Sequence, residues 1–266
     1  MQGRFFLGRT WRMAACRSSE RVSGEMPDAS KTDPRRSFKD AMLAAVVRAL
    51  NPRYQHFPVE KFDEFHRILD VGGEPADAII AKRLFRTVAI EAVNIKKPLE
   101  EIAGYKLFEK YHVADLDKSD LTFLANERFD YVISSHLIEH LGHGEKIVSE
   151  MCDKIRPGGH LYLEWPSIES KHFPIRGVGL NFYDDGTHVD TFPLERIEKI
   201  IRGKGLEILR AGKRRHPLRM LLAPVLVPYR CIRNRTFVLY DLWDFTGFCY
   251  VIEAVKPIRP SPERKP

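Results

Sequence analysis

The chain has 266 residues, a formal net charge of +7, 44% hydrophobic and 30% charged residues. This balance fits one large globular domain with appendages and excludes collagen-like, low-complexity or wholly disordered chains. The longest apolar stretch, Met220 to Pro228, is far short of the ~20 residues that a membrane-spanning helix needs, and four scattered cysteines without a C-x-x-C pair argue against a disulfide scaffold or a cysteine-rich zinc site and for a reducing compartment.

Residues 1–37 read as a disordered leader, polar and basic, with Ser18, Gly24, Pro27 and Pro34. Its arginines at positions 4, 9, 12 and 17 precede any acid. A mitochondrial presequence is therefore the alternative to a cytoplasmic protein with a basic tail. Phe38 to Leu50 reads as a short helix ended by Asn51-Pro52. From Arg67 onward, short apolar runs alternate with helical periods.

Strands are predicted at Arg67–Val71, Thr87–Ile95, Tyr111–Leu116, Phe129–Ser134, His160–Trp165, Leu206–Lys213 and Gly247–Lys256. Helices are predicted from Pro75, from Pro98, over Glu145–Ile155 and over Leu194–Arg202, with a turn at Arg156-Pro157-Gly158-Gly159. The alternation predicts a doubly wound α/β fold with a mostly parallel sheet, covered on both faces. Ligands of such sheets lie beyond the carboxyl ends of the strands. The domain is placed at 38–256, with insertions near 166–191 and 215–246 and a tail at 257–266. Between Arg202 and Arg235 there are ten Lys/Arg and one acid, a local +9. The segment reads as a solvated basic face or as a contact for an anionic surface. Pro224 and Pro228 argue against one continuous helix through it.

Four strand ends carry chemistry: Ile68–Gly73 (ILDVGG), His112–Asp117 (HVADLD), Phe129–Leu141 (FDYVISSHLIEHL) and Lys154–Pro166 (KIRPGGHLYLEWP). In this order and spacing they resemble the class I S-adenosylmethionine-dependent methyltransferases, a Rossmann-like fold with a seven-stranded sheet. Leu69-Asp70-Val71-Gly72 is similar to the family's cofactor turn, Phe129-Asp130-Tyr131-Val132 to its "FD-x-V" strand, and Ile155–Gly159 to its "L-(R/K)-P-G-G" turn. The resemblance implies S-adenosylmethionine as cofactor, held by Asp70, Gly72, Gly73, Asn94, Asp115, Leu116, Ser134 and Ser135. Asp115 would hydrogen-bond the adenine, with Asp117 as second choice, and Asn94 stands where the family has its ribose-binding acid. The second and third glycines of the family's turn are Glu74 and Ala76 here.

His136-Leu-Ile-Glu139-His140 also matches H-x-x-E-H, the inverted zinc-hydrolase signature. The methyltransferase resemblance instead makes it the start of the segment lining the cofactor cleft, with His136 as first candidate base and no metal. The polar run Asn181–Asp190 supplies His188 as second candidate base. Tyr183, Asp184 and Asp185 of that run, with the strand-end Trp165, are candidate acceptor contacts. These features predict methyl transfer to a small-molecule or glycan-type acceptor, oxygen favoured. The alternatives are a non-catalytic methyltransferase-like binding protein and a zinc hydrolase. Nucleic acid is disfavoured as acceptor: the Asn/Asp-Pro-Pro-aromatic signature of base amino-methyltransferases is absent, and Ser-Ser-His-Leu stands there.

Overall fold

The computed structural model describes residues 38–56, 67–85, 87–234 and 239–258. The expected leader at 1–37 lies outside these residues. Strands β1 (Arg67–Val71), β2 (Ala89–Asn94), β3 (Lys110–Val113), β4 (Phe129–Ser135), β5 (Ile155–Pro166), β6 (Glu207–Lys213) and β7 (Cys249–Val255) form one sheet in the order β3-β2-β1-β4-β5-β7-β6. The first five strands are parallel, and β7 lies antiparallel between β5 and β6. The strand order reverses between β1 and β4, where Val71 pairs with Ser134. The loops leaving these two strands therefore start side by side and frame the crevice expected at a switch point.

Residue alternation feeds two apolar layers. Leu69, Val71 and Val132 face one layer with Ile147, Val148 and Met151 of the helix Gly144–Lys154 and Ile197 and Ile201 of the helix Leu194–Gly203. Ile68, Tyr131 and Ile133 face the other, with Ala78, Ala81 and Leu84 of the helix Pro75–Leu84. Tyr54 joins that second layer from the short helix Pro52–Gln55, which follows the helix Phe38–Leu50. Both faces of β1 and β4 are covered, and burial is nearly unbroken along both strands although each contains an aspartate.

Three expectations are corrected. No helix starts at Pro98; the segment turns and tightens into a 3-10 turn at Tyr105–Leu107. Gly104 in this segment has φ +97°, and a Cβ there would sit 2.1 Å from the Pro75 carbonyl oxygen, so the close approach of the two segments replaces a helix. Arg156–Gly159 is not a free turn but the start of β5. Gly158 N–H donates to the Lys256 carbonyl at 2.7 Å and Lys256 N–H to Gly159 at 2.9 Å, so pairing with the chain after β7 extends the strand. A single helix, Pro217–Asn234, runs through both Pro224 and Pro228. Their four-residue spacing puts both on one exposed face, where water can take up the carbonyls left without an N–H partner.

Six basic side chains of this segment meet acids within the fold. Arg202 meets Glu198, Lys204 meets Asp153, Arg210 meets Glu253, Lys213 meets Glu169, and Arg214 and Arg219 both meet Asp244. The helix Pro217–Asn234 turns Leu221, Val225, Tyr229 and Ile232 outward. No helix among the described residues is long and apolar enough to cross a membrane.

Glu253 provides a test of the sheet edge. Burial pushes its carboxyl up to about 7, against the pull of Arg210, whose guanidinium lies 3.6 Å away. The folded pKa exceeds the unfolded one, so this group's stabilisation is complete in acid and is lost as pH rises through about 7. Glu253→Gln should therefore gain about 2 kcal/mol relative to wild type between about pH 5 and about pH 8, read from urea unfolding. A difference that does not change with pH would contradict a buried, reluctantly ionised carboxylate.

Candidate functional site

The chain leaves β1 through Gly72, whose φ of +88° favours glycine. Its N–H donates to the Val93 carbonyl at 2.8 Å. A Cβ on Gly73 would lie 2.6 Å from Cγ of Asp70, so that position has no room for a side chain. Asp70 is buried beneath the turn, 3.4 Å from Arg53, which also holds Asp77 at 2.8 Å. Burial raises the Asp70 carboxyl to about 7; Arg53 opposes this, and Asp77 and Glu74 add to it. Glu74, in place of the family's second glycine, is the N-cap residue of the helix Pro75–Leu84, and its N–H donates to Asp77 at 3.1 Å.

Asn94 at the end of β2 folds onto this turn. Its Nδ2 donates to Gly72 and Gly73 carbonyls at 3.4 and 3.3 Å and to Glu74 at 3.4 Å. The Tyr111 hydroxyl donates to Gly73 at 3.2 Å. Beyond β3, Asp115 is partly exposed, pairs with Lys118 at 2.9 Å and accepts the Asp117 N–H. Asp117 accepts the Gly142 N–H at 2.9 Å, and Leu116 is buried in the core. Ser134 is fully buried and its hydroxyl donates to the Val71 carbonyl at 3.0 Å, joining β4 to β1. The Ser135 hydroxyl is buried without a partner and lines a cavity of about 20 Å³ together with Arg53, Asp77, His136 and Glu164.

His136 has φ +53°, an unusual conformation for a side-chain-bearing residue. Its Nδ1 lies 3.1 Å from Glu139 and its Nε2 3.0 Å from Glu164, and its ring packs on Trp243 at 4.9 Å. Burial opposes a charge on His136, but Cys249, Glu139 and Glu164 outweigh it and hold the ring well above the ordinary imidazole range. Glu164 also meets Arg214 at 2.5 Å and the Tyr162 hydroxyl. Despite its burial, Arg214, His136 and Tyr162 keep Glu164 well below the usual carboxylate range. Arg214 continues to Asp244 at 2.9 Å. The expectation of His136 as a base is therefore corrected: an imidazole held charged between two carboxylates has no lone pair to accept a proton.

The H-x-x-E-H reading fails in its pairing as well. Ile138–His140 is a 3-10 turn rather than an α-helix, so His136 and His140 do not share a helical face. His136 groups with Glu164 and Cys249, whereas His140 groups with Glu139 and His188. Val189 and Asp190 N–H groups donate to the Glu139 carbonyl at 2.8 and 3.2 Å and bring His188 there.

Within the polar loop, Asp184 accepts N–H bonds from Gly177, Gly179, Leu180 and Asn181 at 2.6 to 3.2 Å. Asp185 accepts from the Thr187 N–H at 2.8 Å and its hydroxyl at 2.6 Å. Both acids thus organise their own loop, while Tyr183 is 55% exposed. Trp165 is fully buried against Tyr250 and donates its indole N–H to the Phe192 carbonyl. It is a core residue, with no face open to an acceptor.

Comparison with known proteins decides the family. A methyltransferase-domain family model matches residues 32–211. The chain belongs to this methyltransferase family. Among solved structures, an S-adenosylmethionine-dependent methyltransferase from Mesorhizobium loti aligns with TM-score 0.53 and 14% identity over 79% of this chain and 95% of that one. A Haemonchus contortus phosphoethanolamine N-methyltransferase 2 in complex with S-adenosyl-L-methionine aligns with TM-score 0.51 and 18% identity over 84% and 58%. An O-methyltransferase family protein from Burkholderia thailandensis aligns with TM-score 0.50 and 12% identity over 84% and 57%. No curated protein matches the sequence.

S-adenosylmethionine is the cofactor of this methyltransferase family. The residues present fit it: an unpartnered, buried Ser135 hydroxyl faces a cavity between the end of β4, Glu164 of β5 and the Asn51–Arg53 segment. The cavity holds about one water, whereas a cofactor of this size needs several hundred Å³. Arg53, Glu164, Arg214 and Asp244 were not singled out from sequence. The one visible signal was Glu164, an acid inside the apolar run Leu161–Trp165, which demands a buried partner.

A charge clamp and a loop base differ in what their loss does to folding. His136→Gln leaves Glu139 and Glu164 facing each other with less compensation, and should cost about 3 kcal/mol or more in urea unfolding. His188→Gln should cost less than half of that. Equal small losses would contradict the clamp.

Proposed function

We propose that the chain is an S-adenosylmethionine-dependent methyltransferase acting on a hydroxyl oxygen of a small polar or glycan-type acceptor. The observation that supports oxygen is the group Glu139, His140 and His188 beside the end of β4. A hydroxyl, unlike a neutral amine, is a weak nucleophile until its proton is removed. Burial lowers the His188 pKa. Its Nδ1 lies 2.6 Å from the Phe182 carbonyl, which fixes the proton there and leaves Nε2 free to accept.

The cofactor supplies a methyl group on a positively charged sulfur, electrophilic enough that the protein's task is alignment and exclusion of water. In this reading Asp115 accepts from the adenine amine, Asn94 turns from the glycine carbonyls to the ribose, and Ser135 with the Gly72–Gly73 backbone lines the methionine end. Asp184 and Asp185 hold the acceptor loop in shape. Tyr183, exposed on that loop, contacts the acceptor. The hydroxyl proton leaves toward the His140–His188 side, since His136 already carries one.

Calorimetric titration with S-adenosylhomocysteine tests the cofactor half. Micromolar binding, weakened about tenfold by Asp115→Ala, is the expected result. Mass spectrometry of hydroxylated acceptors incubated with the donor then tests the oxygen half. No binding at millimolar ligand would favour a methyltransferase-like binding protein, the reading that the small cavity supports.

A further inference from the structure

We propose that Glu139, His140 and His188 form a binding site for one divalent transition-metal ion beside the end of β4. The inference rests on the proposed function for its role, but its geometry stands independently. One ligand atom from each of the three residues lies within 4.8 Å of the other two. Two imidazoles and one carboxylate, with further positions open, are the donor set of catalytic zinc and related borderline ions rather than of magnesium or calcium, which prefer oxygen.

Two further observations point to a ligand here. Glu139 is fully buried, and while one carboxylate oxygen faces His136, the other has no hydrogen-bond partner. A buried, unpartnered carboxylate oxygen is costly and is relieved by a cation. Both histidines are also oriented as metal ligands usually are. His140 Nδ1 lies 3.2 Å from the Thr187 carbonyl and 3.0 Å from its hydroxyl, and His188 Nδ1 lies 2.6 Å from the Phe182 carbonyl. A ring nitrogen tied to a carbonyl carries the proton, so the Nε2 lone pair of each ring is free.

The neighbouring group of His136, Glu164 and Cys249 does not compete. Glu164 is already matched by Arg214 and Tyr162, and His136 uses both ring nitrogens on carboxylates. Burial holds the Cys249 thiol above its ordinary pKa, against the pull of His136 and Arg214. An ion between Glu139, His140 and His188 would take up both Nε2 lone pairs and so replace His188 as the activating group: it would polarise an acceptor hydroxyl, whose proton would then pass to solvent water.

The test is titration of tag-free, chelator-treated full-length protein with cobalt(II) chloride, followed by visible d–d absorption and by calorimetry. The expected result is one equivalent bound with an intense, low-symmetry spectrum, and at least about tenfold weaker binding in both Glu139→Gln and His188→Gln. Because Glu139 is buried, His188→Gln on the loop provides the variant that keeps the fold, checked by circular dichroism. No cobalt binding by wild type, or binding that neither variant weakens, would overturn the site and identify adventitious histidines. S-adenosylhomocysteine is titrated in parallel into the metal-free protein. Its binding without cobalt binding would remove the metal site alone, and its absence alongside cobalt binding would remove the cofactor reading alone.

Discussion

The ends of the central strands are organised around one buried carboxylate, that of Glu164 on β5. An ionised carboxylate loses several kcal/mol of hydration when it is buried, so it persists only where donors replace the water. Arg214, His136 and Tyr162 supply them. Each donor brings a different part of the chain. Tyr162 comes from β5 itself, His136 from the residue after β4, and Arg214 from the residue after β6. Arg214 is balanced in turn by Asp244, in the short helix Trp243–Thr246 before β7. The stretch after β6, which reads in the sequence as an insertion, is thus a structural necessity: it carries the carboxylate that lets a guanidinium sit beside Glu164.

This arrangement also dictates what the next residues can do. To reach Glu164, His136 adopts a left-handed backbone conformation. The chain then tightens into the 3-10 turn Ile138–His140 instead of running straight into a helix. Glu139 is drawn inward to His136 with one oxygen and left unpartnered with the other. His140 is directed instead toward Thr187 and His188. A side chain that the family resemblance marks as the base becomes the fixed positive charge that aims two other groups. The division follows from surroundings: two carboxylates favour the charged form of His136, whereas burial between Phe182 and His140 lowers the pKa of His188.

The strands and their order of chemistry were legible because parallel strands buried on both faces read as apolar runs, and because Gly72 follows such a run directly. The family was legible for the same reason. What could not be read were the partners set by long-range pairing. Pro98 marks a helix start by local rules, but the approach of Gly104 to the Pro75 carbonyl decides the path there. Pro224 and Pro228 are helix breakers by those rules, yet their shared exposed face makes them tolerable. Asp184 and Asp185 look like ligands for an acceptor because acids cluster there. Only the loop's own fold reveals that backbone amides already claim them.

The altered cofactor turn is where local chemistry and ligand charge meet. A glycine-rich turn leading into a helix ordinarily presents bare N–H groups and a positive helix end to a phosphate. Here the same place carries Asp70, Glu74 and Asp77, against the single guanidinium of Arg53. Glu74 and Asp77 cap the helix start and neutralise its positive end, so a pyrophosphate brought there would face net repulsion. Burial is the main reason that the Asp70 carboxyl is raised to about 7, and Asp77 and Glu74 add to the rise because the acids of the turn crowd one another. A ligand with a cationic sulfur and an ammonium group has the opposite preference, since its charges relieve the crowding of carboxylates. Replacing the second glycine by glutamate therefore does not simply erode a nucleotide site. In the proposed reading, its charge would oppose a phosphate and suit a positively charged methyl donor.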